Sequence, residues 1–488
     1  MDDPMTRLGF CVALSLCLTG TAHAEPGKDA VDAIFAPWAS STSPGCAVGV
    51  TRDGKSVFQA GYGMADLEQG VANRPDTVFN IASLSKHFTT TAVELLAQQG
   101  KLSWDDDIRK YVPEIPEYGR PITLRHLANH TSGIRDFLTL LEFSGWNWLD
   151  AVTEERILGL IARQKQLNFP TGTAYTYSNS GYVLLGIVVK RVSGQPLGEF
   201  LGRNVFEPMG MLHTRVYDDR QMIMKNRAPG HYMRDDGKGF AIWRPTYDQI
   251  QGDGAVLTSV QDMAIWSNNF LHPSLGPNPQ GLVDALRTPG TFNDGKPARA
   301  DEGSPTYALG LTVGEYRGLP VVSHSGGIPG YATNMLLFPA QKLAVTVLCN
   351  LGGAPATNLS RAVADLYLPQ DLLKGPPTEQ PKPRYRGSVD QTAKSPPYLL
   401  EKPYSLRDYA GRYASDELDA DHILSAAGNG LDLRVGFLPA THFAPQGKDI
   451  FFGDGVTLTF ARDGSRKVTG YTLKAGRAQG LVLVRTRQ

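Results

Sequence analysis

Asn80-Ile81-Ala82-Ser83-Leu84-Ser85-Lys86-His87-Phe88 is the stretch that decides how this chain is read. Leu84, Phe88, Thr91, Ala92, Leu95 and Leu96 recur at the i, i+4, i+7, i+8 spacing of an amphipathic helix, and Gly100 supplies a C-terminal stop. Strand-like sequence precedes it. Ser83 therefore falls at the first turn of a helix, with Lys86 on the same face and about 5–6 Å between Cβ atoms. A serine hydroxyl needs an adjacent base to act as a nucleophile. A lysine serves as that base once burial and the positive end of a helix dipole push its pKa down. Ser85 is out of register, because i and i+1 side chains do not face each other. In isolation the same tetrad also describes a helix-capping serine followed by a lysine whose stem lies along apolar surface.

Upstream, Pro44-Gly45-Cys46-Ala47-Val48-Gly49-Val50 reads as a buried strand. Asp53-Gly54 is a hairpin turn and residues 56–61 return as a second strand. Downstream, Ile122-Thr123-Leu124-Arg125-His126-Leu127 starts a helix that ends at Asn129-His130-Thr131-Ser132-Gly133. His126 and His130 stand at the i, i+4 spacing of a helical metal site. No glutamate lies between them and no third ligand follows, so a structural role is preferred and no metal is expected. Residues 149–163 and 182–192 read as helices, separated by the polar turn Tyr175-Thr176-Tyr177-Ser178-Asn179-Ser180-Gly181. Residues 222–247, with Tyr232 and Trp243, read as a lid-like excursion. Gln251-Gly252-Asp253-Gly254 reads as a flexible loop that leads into Ser259-Val260-Gln261-Asp262, a capping-box variant opening the next helix. Val321-Val322-Ser323-His324-Ser325-Gly326-Gly327 is a strand ending in a glycine pair, and residues 335–338 and 343–349 are two more strands.

The 488 residues suffice for more than one domain, and 48 basic against 48 acidic side chains leave no net charge. No basic stripe points to nucleic acid and no polybasic cluster to anionic lipid. Residues 8–18 form an apolar run behind Arg7, and Ala22-His23-Ala24 has the small-x-small form of a cleavage site. The run is too short to span a bilayer. Residues 1–24 are read as a signal peptide cleaved after Ala24, which implies a periplasmic or secreted protein with no integral membrane span. Cys46 and Cys349 remain; two buried apolar thiols are the favoured reading, with a disulfide permitted by export. Prolines crowd residues 369–403, which read as an inter-domain linker. From Tyr404 the pattern becomes short alternating strands, with Asn429-Gly430 and Asp463-Gly464 as turns and Val456, Leu458 and Phe460 facing one way. Residues 404–488 are thus read as a small up-and-down antiparallel β-barrel.

Ser83-Leu84-Ser85-Lys86, Tyr177-Ser178-Asn179 and His324-Ser325-Gly326 occur in this order, separated by helical sequence. Together they resemble the serine β-lactamase and penicillin-binding-protein superfamily. The resemblance is greatest to its class C β-lactamase-like group of DD-peptidases, D-aminopeptidases and esterases. It spans roughly residues 44–351, and the segment from Leu406 to Tyr413 resembles a lipocalin-like domain appended to such hydrolases. The resemblance implies an α+β catalytic domain over residues 25–368: an antiparallel five-stranded sheet flanked by helices, plus an all-helical lobe, with the site between them. It implies that Ser83 is acylated, that Lys86 takes its proton, and that Tyr177 shares the base role and protonates the leaving group. Asn179, His324, Ser325 and Gly326 would meet the substrate, and the backbone N–H groups of Ser83 and Gly327 would form an oxyanion hole. No metal or cofactor is required. It also makes the strands of Cys46 and Cys349 antiparallel neighbours, which brings the two sulfurs close.

The sequence departs from class C β-lactamases at His324, where they carry lysine. A permanent cation is replaced by a group with a reference pKa of about 6.5. His324 is expected to be neutral at pH 7 unless a carboxylate adjoins it, free to hydrogen-bond substrate or Tyr177. Neutral esters and amides should then be handled better than carboxylate-bearing β-lactams. The expected function is an exported serine hydrolase acting through a Ser83 acyl-enzyme on D-amino-acid-containing peptides or amides, or on small esters. The alternatives are a β-lactamase or penicillin-binding DD-carboxypeptidase, and a penicillin-binding receptor with little turnover whose barrel is a ligand module.

Overall fold

The computed structural model describes residues 26–147, 150–219, 221–244, 251–378 and 404–486. The expected signal peptide lies outside them, as do residues 379–403 of the expected linker.

Seven strands form one antiparallel sheet: β1 (Cys46–Arg52), β2 (Lys55–Tyr62), β3 (Thr306–Tyr307), β4 (Thr312–Tyr316), β5 (Leu319–Ile328), β6 (Tyr331–Phe338) and β7 (Leu343–Cys349). Their spatial order is β3-β4-β5-β6-β7-β1-β2. The expected count of five is thus low. The short β3 extends one edge, and a two-residue strand leaves little alternation to read. β1 pairs with β7 in a register that sets Cys46 opposite Cys349, and the two form a disulfide with Cα atoms 4.0 Å apart. The favoured reading of two free thiols is corrected by that register.

Alternation along β1 divides its side chains between two cores. Cys46, Val48 and Val50 pack with Val31 and Phe35 of the Lys28–Phe35 helix and Leu359 and Val363 of the Ala356–Tyr367 helix. Ala47 turns to the other face, where Phe88 and Leu95 of the Lys86–Gln98 helix and Met263 and Trp266 of the Val260–Asn269 helix pack. Ser259 caps the latter by accepting the Asp262 N–H, as its sequence predicts. The helical lobe includes Leu124–Ala128, Phe137–Phe143, Glu154–Ala162 and Asn179–Ser193. Residues 222–244 contain a hairpin of Gly230–Met233 against Phe240–Trp243, and Tyr232, Met233 and Trp243 line the cleft.

The first residues of the expected linker lie along the catalytic unit: the Lys374 N–H donates to the Arg317 carbonyl and the Thr378 N–H to Asp365 Oδ2. Beyond residue 403 a closed barrel follows, made of β8 (Gly411–Ser415), β9 (Ala420–Ala427), β10 (Gly430–Val435), β11 (Thr441–Pro445), β12 (Ile450–Gly453), β13 (Val456–Arg462), β14 (Val468–Ala475) and β15 (Ala478–Arg485). Each strand pairs with its sequence neighbour and β8 closes on β15, as expected for an up-and-down barrel. Buried Tyr409, Tyr413, Phe451, Phe460 and Tyr471 pack edge to face, Tyr409 against Phe460 at 4.8 Å and Tyr413 against Tyr471 at 5.0 Å.

The barrel is bound to the helical lobe by buried polar contacts. Arg135, 1% exposed, pairs with Glu417 at 2.7 Å and donates to the carbonyls of Gln479 and Gly480. His422 Nε2 donates to the Phe143 carbonyl at 2.8 Å, while its Nδ1 accepts from the Tyr471 hydroxyl.

Candidate active site

The Ser83 segment is a tight turn before it is a helix. Ala82–Ser85 is 3₁₀, and the α-helix begins at Lys86. Ala82 holds φ +49°, a left-handed conformation unusual for a residue with a β-carbon, and its N–H donates to Asn80 Oδ1. The sheet buttresses the turn from below. Thr333 Oγ1 donates to the Ile81 carbonyl at 3.0 Å, and a β-carbon at Gly326 would collide with that carbonyl oxygen. Gly326 therefore packs closely beneath the turn, where no side chain fits. Gly327 has open space where a side chain would stand, and it lines the cleft together with Ser325 and His324.

Lys86 has no exposed surface. Its Nζ lies 3.1 Å from Ser83 Oγ, 2.9 Å from Asn179 Oδ1 and 2.7 Å from the Asp253 carbonyl oxygen. Desolvation lowers its pKa, opposed by the charge of Asp253 and reinforced by that of Arg477. The Asp253 carboxyl is raised by its own burial. Three acceptors surround Nζ, the number an ammonium needs; on losing one proton the amine keeps two hydrogens for Asn179 and the Asp253 carbonyl and turns a lone pair toward Ser83 Oγ. Asp253 comes from the loop read as flexible. It is held in place because Gly252, at φ +114°, packs where a β-carbon would strike the Tyr182 carbonyl, and because Thr89 Oγ1 donates to the Gly252 carbonyl.

Tyr177 stands beside this pair, its ring centroid 5.0 Å from Lys86 Nζ. Burial pushes its hydroxyl pKa up, and contact with Ser83 and the charge of Arg477 only partly offset that. Desolvation thus outweighs the Ser83 contact and the Arg477 charge together. Burial favours the protonated phenol, the form that can give a proton. Beneath it lies His130, buried and held at φ +60°, its ring 4.2 Å from that of Tyr177. Its Nδ1 accepts the Ser178 N–H at 3.1 Å, and His126 Nδ1 accepts the Thr123 N–H. Among the described residues no group of three metal-ligating side chains forms. Asn179 is placed by Asp136, whose carboxylate accepts the Asn179 N–H at 2.6 Å.

His324 is 7% exposed and both its nitrogens are engaged. Nδ1 donates to the Ser325 carbonyl, which leaves Nε2 to accept from the Tyr307 hydroxyl at 2.9 Å. Burial, together with the charge of Lys86, lowers its pKa to about 4. The neutral state expected of it follows, but its partner is Tyr307 rather than Tyr177.

Four residues of this site escaped the sequence reading: Asp136, Asp253, Tyr307 and Arg477. Arg477 comes from the β14–β15 turn of the barrel. Its guanidinium lies 4.8 Å from the Tyr177 ring centre, with Nη1 3.8 Å from Asp136 Oδ2. Leu438, Pro439 and Gly476 of the barrel line the same cleft. Only Asp136 had a local cue, as an aspartate directly before an apolar helical segment, where it caps the Phe137–Phe143 helix.

The beta-lactamase family model matches residues 31–368. A D-aminopeptidase of Brucella canis is 26% identical over 514 residues, covering 90% of this chain and 95% of that protein. A penicillin-binding protein of Bacillus subtilis is 27% identical over 352 residues, covering 67% of this chain and 72% of its own. The octameric penicillin-binding protein homologue from Pyrococcus abyssi shares the fold, with a TM-score of 0.62 at 24% identity over 94% of this chain and 98% of its own. A D-stereospecific amidohydrolase from Streptomyces sp. does so with a TM-score of 0.57 at 21% identity over 70% of this chain and 99% of its own.

Proposed function

The chain belongs to the beta-lactamase family and is a serine hydrolase, and from that premise we propose that it forms an acyl-enzyme on Ser83 and cleaves amides, short peptides or small esters of D-amino acids. The observation that carries this reading is a fully buried Lys86 whose Nζ lies 3.1 Å from Ser83 Oγ, with Asn179 Oδ1 and the Asp253 carbonyl left to hold its other two hydrogens once it is deprotonated. As Oγ attacks the carbonyl carbon, its proton passes to Lys86 Nζ. The developing oxyanion meets the backbone N–H groups of Ser83 and Gly327. The bond to the leaving group breaks as Tyr177 gives it a proton, and the Lys86 ammonium restores that proton to Tyr177. Water then attacks the acyl carbon with Lys86 again as base, and Ser83 leaves protonated. Asn179 Oδ1 is committed to Lys86, so its Nδ2 is the group that remains for a substrate carbonyl. The D-amino-acid preference rests on the similarity to a D-aminopeptidase and to a D-stereospecific amidohydrolase.

Export is part of the same proposal. It is supported by the 8–18 apolar run with Ala22-His23-Ala24, and by a Cys46–Cys349 disulfide of the kind that persists in oxidising compartments. N-terminal sequencing of chain recovered from the periplasm or medium tests it; a retained Met1 or cytosolic recovery rejects it. For the chemistry, intact protein is incubated with a fluorophosphonate, with D- and L-amino-acid amides and esters, and with a β-lactam, and followed by mass spectrometry and turnover. The expected result is a phosphonyl adduct on Ser83 and turnover of D-substrates. An adduct elsewhere rejects the site. Trapped adducts without turnover favour the receptor reading.

A further inference from the structure

The cation missing from the third motif has a counterpart elsewhere in the cleft. His324 is buried, bonded at both nitrogens and neutral, so it offers a substrate anion little. Arg477 lies across the Tyr177 ring from a barrel turn, its side chain 45% exposed and lining the cleft. Its nearest counter-charge, Asp136, stands 3.8 Å away and is already engaged by the Asn179 N–H at 2.6 Å. The other carboxyls on the cleft wall are Glu142 and Asp253, both shifted toward the neutral form by burial, and Asp235 on the hairpin. A guanidinium presents five donors in a fork that matches a carboxylate.

We propose that Arg477 is the anion-binding residue of this cleft, taking a carboxylate on the leaving-group side of the substrate, so that recognition of substrate charge resides in the barrel. The side follows from Tyr177: the residue that protonates the leaving group lies directly against Arg477. This inference rests on the reading of Ser83 and Tyr177 given above.

The test uses three esters of one acyl-D-alanine that differ only in the leaving group: lactate, lactamide, and the protonated 1-amino-2-propanol. Wild type is expected to favour the lactate ester over the lactamide ester in kcat/KM. Arg477→Gln should lower that ratio about tenfold or more, the size of one charge-assisted hydrogen bond, and Arg477→Lys should keep part of it. The ratio is the readout because losing Arg477 also alters the surroundings of Tyr177 for every substrate. With wild type alone, the ratio should fall as salt is raised, and lactate should inhibit more strongly than lactamide. An unchanged ratio in Arg477→Gln, or a wild-type preference for the neutral or cationic ester, overturns the proposal. Fluorophosphonate labelling of the same samples separates the two readings. Ser83 labelled with the ratio unmoved rejects Arg477 alone, and a label on another residue rejects the site itself.

Discussion

Ser83 and Ser85 stand two residues apart and face different surroundings. Ser83 lines the cleft within reach of Lys86, whereas Ser85 is fully buried and accepts the Val256 N–H at 3.1 Å. Ser83→Ala should abolish turnover and labelling. Ser85→Ala should leave labelling intact and cost about 1–3 kcal/mol of stability, the penalty of an orphaned buried donor. Labelling kinetics and denaturant melts on both variants check the pair. The pH dependence follows from Lys86 by the same reasoning. Its pKa is depressed by burial, and the proposed base role requires its neutral form. Hence kcat/KM should rise with pH as Lys86 loses its proton, at a midpoint below lysine's usual value of about 10.4, and fall on the acid side. His324, titrating near 4, should contribute no limb between pH 5 and 8. A pH profile in which His324→Ala removes the limb would reject the assignment to Lys86. Ser83 and Lys86 were legible because three residues of helix place them by local geometry alone. Asp253 was not, since it offers a backbone carbonyl, which every residue has, and only the packing of Gly252 directs it at Lys86.

At the level of elements, apolar runs served as well as alternation. β1 and β7 begin and end within two residues of their expected bounds although both are buried on both faces, because each is a short apolar run bounded by turn residues. β13 does alternate, with Val456, Leu458 and Phe460 on the buried side as expected. β3 is too short to show a pattern, and the early part of β6, also buried throughout, was missed. The disulfide joins the first long strand to the last, closing a loop across a separation of 303 residues. Replacing both cysteines by alanine should lower stability by up to about 5 kcal/mol, and by less if the paired strands already hold together. Melting curves with and without reductant should separate for wild type and coincide for the double variant.

At the scale of the molecule the barrel is a wall of the site as well as an appendage. Its interior is filled with aromatic side chains, which argues against a carrier of small ligands, and its turns face the cleft. Charge distribution across two sequence-distant units is invisible to motif reading, which is why Arg477 and Glu417 went unnoticed. Glu417→Ala leaves Arg135 buried without its partner, and is expected to cost about 3–5 kcal/mol. Because Asp136, next in sequence, holds the Asn179 N–H, kcat should fall as well. Denaturation and steady-state kinetics on that variant test both effects. Acid should weaken the whole fold. His87, His126, His130, His231, His324 and His422 all have pKa values lowered by burial. The unfolded chain takes up their protons first, so the contribution of these histidines is complete above about pH 6.5 and declines toward pH 4, by up to about 1.4 kcal/mol per pH unit for each. Chemical denaturation from pH 8 to 4 measures that slope. The strand order has a consequence for biosynthesis. β1 leaves the ribosome early, but one of its two flanking partners, β7, is made only at residue 349. A nascent chain that already carries Ser83, Lys86 and Tyr177 still lacks the centre of its sheet, so the hydrolase stays unarmed until nearly all of its catalytic unit has been translated.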